Sequence, residues 1–305
     1  MKKFIKFTLL FLLPILTLVI ISELLLRHIP NDYSYKKTYL DLKSNQIEVL
    51  YLGSSHVYYG INPIYSEYNS FNASHISQSL NFDLAILEKY KNNWSKLKYI
   101  VIPIDYFSMY STLENGIEKW RLKNYSIYYN IYESTNYTTN FEMLNGQFKA
   151  NLARLKSNIL NNTTDVTCNK LGWGINYNSK NGEDLIATGK AASKRHTIEN
   201  INNLCFNENV KTLNSLIEFA KNNKAKIIFF TSPAYKTYVD NLEKKQLDNT
   251  INLISQKTYR NSNAVYYNLL KDNTFIEEDF YDADYLNEKG AKKLTIKIDS
   301  LISVK

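Results

Sequence analysis

The chain has 305 residues, enough for one sizeable core with room for a large insertion. Hydrophobic residues at 44% and charged residues at 22% describe a globular protein and exclude a disordered one. The formal charge of +8 suits anionic partners such as phospholipid headgroups, acidic glycans or nucleic acid, but in a chain rich in Lys, Asn, Ile and Tyr throughout it reads first as a compositional bias. No dense Lys/Arg block with interleaved aromatics occurs, so nucleic acid is not an expected partner.

The amino terminus reads as a targeting element. Lys2, Lys3 and Lys6 precede an apolar run from Phe7 to Ile21, continued by Leu24, Leu25 and Leu26, with Glu23 near its far end. Residues 4–26 meet the length of about 20 that spans a bilayer. The stretch from Ser22 to Arg27 lacks the small residues of a signal-peptidase site, which predicts an uncleaved anchor. The lysines place the amino terminus in the cytoplasm and everything after about Pro30 outside it. The expectation is a single-pass protein of the cytoplasmic membrane, with its main domain extracytoplasmic. In an oxidising compartment Cys168 and Cys205 can pair as a disulfide or remain two buried thiols.

Beyond residues 1–30, residues 31–46 read as a polar linker. Ile47 to Leu52 is a buried strand that runs straight into Gly53-Ser54-Ser55-His56. A second short strand falls near Ser70 to Asn72. Ser77 to Lys91 is a helix, with Leu80, Leu84, Leu87 and Tyr90 at helical spacing. Tyr99 to Ile104 is the next buried strand. From about 106 to 204 the alternation breaks into a Tyr- and Asn-rich insertion, with amphipathic helical pieces near Met143 to Leu160, expected to cap or border a site. It then resumes: helix Asn209 to Asn222, strand Lys226 to Phe230, helix Asp240 to Tyr259, strand Val265 to Leu269 and helix Glu288 to Ile302. Five strands alternating with helices over residues 47–305 predict an α/β fold with a parallel, doubly wound sheet.

In such a sheet, sites lie at the carboxyl ends of the strands. Four segments fall there: Gly53-Ser54-Ser55-His56, Asn72-Ala73-Ser74-His75, Pro103-Ile104-Asp105 and Thr231-Ser232-Pro233. A fifth, Asp282-Ala283-Asp284-Tyr285-Leu286-Asn287, precedes the last helix.

Together these blocks resemble the SGNH/GDSL hydrolase family, in particular its membrane-anchored extracytoplasmic members. The resemblance runs from about Glu48 to the end and implies a flavodoxin-like three-layer sandwich with a five-stranded parallel sheet. It places the nucleophile on Ser55, within Gly53-Ser54-Ser55, and an oxyanion-hole N–H in Asn72-Ala73-Ser74. The final block, Asp-x-x-His in the family, reads Asp282-Ala283-Asp284-Tyr285: the resemblance makes Asp282 the triad acid that orients the base, and Tyr285 stands at the position of the family histidine. The family's oxyanion asparagine is also missing, where Ile104-Asp105-Tyr106 follows the strand.

That departure matters because a serine hydroxyl needs a base with a pKa near the working pH. A tyrosine, at roughly 10, is mostly protonated near neutrality. His196 is the tentative replacement base. His56 is expected to point away from Ser55, and His75 to hydrogen-bond locally or bind substrate. Asp284 reads as a cap or solvent-facing carboxylate, and Asp105 as a substrate contact or a strand end. No His-Glu-x-x-His spacing occurs, so neither metal nor cofactor is expected.

The resemblance implies an ester hydrolase or O-acyltransferase acting on acyl groups, above all acetyl, of a cell-surface glycan through a serine acyl-enzyme. A membrane-bound acyl-donor protein is the partner such a transferase would need. Loss of the histidine leaves open a catalytically degenerate domain that binds glycan or scaffolds an envelope assembly.

Overall fold

The computed structural model describes residues 1–132, 136–145, 148–198 and 203–303. Its strands are β1 (Val49–Tyr51), β2 (Ser70–Asn72), β3 (Tyr99–Pro103), β4 (Lys226–Thr231) and β5 (Ala264–Asn268). Its main helices are α1 (Lys2–His28), α2 (Asp32–Lys43), α3 (Ser55–Gly60), α4 (Leu80–Lys89), α5 (Phe148–Asn161), α6 (Leu185–His196), α7 (Asn203–Asn222), α8 (Lys244–Tyr259) and α9 (Glu288–Ser303). Two compact units emerge: residues 1–37 with 117–166, and residues 38–116 with 167–305.

The larger unit holds one five-stranded sheet in the order β2-β1-β3-β4-β5. Every pairing is parallel, with Tyr51 beside both Asn72 and Val101. This is the flavodoxin-like order, whose ligand crevice opens at the carboxyl edge where the chain reverses direction, between β1 and β3. Successive strand residues face opposite sides of the sheet. Val49, Tyr51, Val101, Ile228 and Phe230 form one core with Val57 of α3 and Leu294 and Ile298 of α9. Leu50, Ile100, Ile102, Ile227 and Phe229 alternate with them and are also buried, as are Ile86 of α4 and Leu213 of α7. Helices cover both faces, so the strands read as continuous apolar runs.

Local chemistry moves several element ends. Residues 32–43 form α2 where the sequence reads as a linker. Asn31 Oδ1 accepts the Tyr33 and Ser34 N–H groups and starts the helix. Its inward residues include tyrosines, which hide the apolar stripe: Tyr39 stacks on Phe71 at 3.9 Å. α4 begins at Leu80, not Ser77, because Ser77 has a positive φ of 59° that no helix accepts. α8 begins at Lys244, where Glu243 caps the N–H groups of Lys245 and Gln246. Within the predicted insertion, α6 belongs to the α/β unit and α5 to the unit that contains α1. Cys168 and Cys205 are both buried and carry separate thiols, not a disulfide.

α1 is 27 residues long and contains an 18-residue window with a mean hydropathy of 2.7, long and apolar enough to cross a membrane.

Candidate active site

β1 ends in a turn that only glycine can make. Gly53 has φ +116°, and a Cβ there would lie 2.3 Å from the Pro103 ring. Its N–H donates to Asp83 Oδ1 at 2.8 Å. Gln78 Nε2 donates to the same oxygen, and burial pushes the Asp83 carboxyl up to about 7. The turn hands the chain to α3, with Ser55 in its first turn. Ser55 is buried, and its backbone N–H and that of His56 have no acceptor among the described residues. The Oγ atoms of Ser54 and Ser232 are buried and also lack partners there. Unpaired polar atoms at the ends of β1 and β4 mark a place where a polar group or water is needed.

Ser55 Oγ meets Tyr285 Oη at 2.9 Å. The phenol of the loop before α9 therefore contacts the serine at the start of α3. Its ring is held by edge contacts with Tyr59 (5.9 Å) and Tyr177 (5.3 Å) and lies 4.9 Å from the His56 ring. Burial first, then the negative charge of Asp284, raises the Tyr285 phenol well above its ordinary pKa. It is protonated and supplies no base.

Asp282 Oδ1 accepts the backbone N–H groups of Asp284 and Tyr285, at 2.8 and 2.7 Å. It shapes the loop that presents Tyr285. Burial, assisted by the neighbouring charge of Asp284, raises its carboxyl to about 6.

The histidine nearest in sequence to the serine is committed elsewhere. His56 Nδ1 lies 2.7 Å from Asp105 Oδ2, and its Nε2 lies 3.0 Å from Asp284 Oδ1. Burial alone would strip its proton, but the charges of Asp284 and Asp105 outweigh burial and hold its pKa well above 6.5. Asp284 is buried, not solvent-facing as its loop position implies. Burial opposes its ionisation, yet the His56 charge pulls its carboxyl down to about 2. Asp105 Oδ1 also accepts the Ser232 N–H at 2.9 Å, so this carboxylate ties β3 and β4 to α3.

His196, the tentative base, reaches this cluster but not the serine. Its Nδ1 pairs with Tyr238 Oη at 2.9 Å and lies 3.7 Å from Asp284. Burial lowers its pKa to about 4, so the ring is neutral at neutral pH. Arg195 approaches Asp284 at 3.5 Å.

The segment expected to supply an oxyanion donor is occupied in bracing the fold. The Ala73 N–H donates to Tyr51 O at 2.8 Å, extending the β1–β2 ladder. Asn72 Nδ2 donates to the carbonyls of Val57 and Ile61 and anchors the end of α3. Asn72 Oδ1 accepts from the Ser74 N–H at 3.1 Å and from its hydroxyl. His75 is buried, and its N–H donates to Gly53 O. Among the described residues, no group of three or more His, Cys, Asp or Glu side chains is arranged to hold a metal ion.

The Asp105–His56–Asp284 bridge is the feature that sequence reasoning missed. The signal was present: β1 and β3 are neighbours in this sheet order, which brings residues just beyond their ends together.

No family model matches the chain, and no match is found among curated proteins. Two solved structures align along most of it. A "putative acylhydrolase" from Bacteroides fragilis NCTC 9343 is 11% identical, with a TM-score of 0.41, over 87% of this chain and 94% of that one. A "GDSL-like lipase" from Bacteroides thetaiotaomicron VPI-5482 is 12% identical, with a TM-score of 0.40, over 89% and 98%. Likeness at this level leaves the site to be read from its own geometry.

Proposed function

We propose that this is a membrane-tethered SGNH-like domain that recognises acyl groups, acetyl above all, on a cell-surface glycan and does not turn them over efficiently. The observation that carries this reading is the 2.9 Å contact between Ser55 Oγ and the protonated phenol of Tyr285. A serine in that pairing has no partner to take its proton. His56 has both ring nitrogens on carboxylates and His196 points to Tyr238, so neither substitutes. The unused N–H groups of Ser55 and His56 remain able to receive an ester carbonyl. The glycan and the envelope location come from the sequence resemblance and from the apolar length of α1.

A second reading, an active ester hydrolase or an O-acyltransferase served by a membrane-bound acyl donor, is favoured by the retained Ser55 at the end of β1. It requires a base to reach Ser55 when substrate binds.

The two readings part on hydrolysis of an activated acetyl ester by wild type and Tyr285→His. Histidine is shorter than tyrosine by roughly 2–3 Å, so a restored base depends on a loop shift. We expect wild type at background and a gain of about 10- to 100-fold in the variant, below the full worth of a positioned base. Wild-type turnover abolished by Ser55→Ala would instead establish the active enzyme.

A further inference from the structure

α5 is amphipathic in an inverted sense. Its polar residues Asn151 and Arg154 face inward: Asn151 Nδ2 donates to Glu142 O, and Arg154 pairs with Glu142 and Asp165 at 3.1 and 2.7 Å. Glu142 is itself buried and paired with Lys123. An adjoining side, about a quarter turn away, carries Phe148, Leu152 and Ile159, exposed to 62%, 56% and 66%. Spacings of four and seven residues put these three on one stripe. Lys149 and Lys156, both exposed, flank it.

This stripe sits beside the carboxyl end of α1. Leu155, at the edge of the stripe, packs with Leu26 and Ile29. Glu23 accepts the N–H groups of Glu142 and Met143 at 3.0 and 2.9 Å, and Arg27 donates to Asn140 O. The segment leading into α5 is thus fastened to the last turns of the helix long enough to span a bilayer, all within one compact unit.

We propose that α5 lies in the lipid interface where α1 leaves the membrane. Phe148, Leu152 and Ile159 enter the acyl boundary, and Lys149 and Lys156 reach the phosphates. An exposed apolar stripe with flanking lysines, continuous with a spanning helix, fits a bilayer surface: the stems bury while the ammonium groups stay wet. The inward ion network then explains itself, since it holds the polar side of α5 away from lipid. The proposal rests on α1 being a membrane span, as the proposed tethering also does.

The test uses the full chain in nanodiscs of mixed zwitterionic and anionic phospholipid. Leu152→Cys, Ala150→Cys and Leu12→Cys, each added singly to the native chain, are labelled with an environment-sensitive fluorophore, with wild type as the blank for buried Cys168 and Cys205. Lipids carrying a quencher high or low on the acyl chain report depth. Ala150 is exposed and two residues from Leu152, on the far side of the helix. We expect the Leu152 label to be quenched severalfold more than the Ala150 label, chiefly by the shallow quencher, and the Leu12 label chiefly by the deep one. Equal quenching at Leu152 and Ala150, with Leu12 deep, overturns the interfacial helix alone. A blue-shifted but unquenched Leu152 label means that protein covers the stripe, and also overturns it. An unquenched Leu12 label removes the membrane span and the proposal with it.

Discussion

Replacing His56 with alanine would leave Asp105 and Asp284, each buried to within a few per cent, facing an emptied space. Removing one partner of a buried ion pair costs about 3–5 kcal/mol. The Asp284 share can be worked from its own shift: a carboxyl drawn from 3.8 to about 2 contributes about 2 kcal/mol. The sign follows from the directions. Stability from the depressed Asp284 is present above 3.8 and lost as pH falls through about 2. Stability from the raised His56 is full below 6.5 and lost as pH rises through its folded value. Without His56, burial of Asp284 is opposed only by the weaker pull of His196 and Arg195, so its carboxyl shifts upward and the variant loses stability as pH rises. Urea unfolding of the full chain in detergent, followed by tryptophan fluorescence, should show a deficit of about 3 kcal/mol near neutrality that shrinks towards pH ~4.5. A deficit below about 1 kcal/mol, or one independent of pH, would refute the bridge as the organiser of this site.

Tyr285→Phe keeps the ring among Tyr59, Tyr177 and His56 and removes only the Ser55 contact. It should cost about 0.5–1.5 kcal/mol in the same unfolding assay and leave ester turnover at background. A rise in Ser55-dependent turnover would show that the phenol had been restraining an otherwise activated serine. Asp83 has its carboxyl raised to about 7, so its contribution to stability is full below 3.8 and is lost as pH rises through about 7. Asp83→Asn retains an acceptor for the Gly53 N–H and removes that dependence. Its advantage over wild type should grow from pH ~5 to ~8, towards at most ~4 kcal/mol, and parallel pH profiles would contradict the protonated carboxyl.

Much of the α/β frame was legible because strands buried on both faces carry unbroken apolar runs: Tyr99 to Ile104 and Lys226 to Phe230 announce themselves. The five-stranded parallel sheet and its flavodoxin-like order follow the expectation. α2 was not legible because its inward residues are polar-ended tyrosines and a buried lysine. Ser55 and Tyr285 were singled out by the family resemblance, and the structure brings their hydroxyls within 2.9 Å of each other. The commitments of Ala73, Asn72 and His56 could not be read from spacing, because each depends on which neighbour takes a donor. Ala73 loses its N–H to the ladder, and His56 turns between two carboxylates that lie 49 and 228 residues away in sequence.

The central claim is that Ser55 sits against a protonated phenol and is not activated. Labelling of the full chain with a fluorophosphonate probe, with Ser55→Ala as control, tests it most directly. The account predicts no label that depends on Ser55 in folded wild-type protein. Labelling that vanishes in Ser55→Ala would contradict it and show that a base reaches the serine.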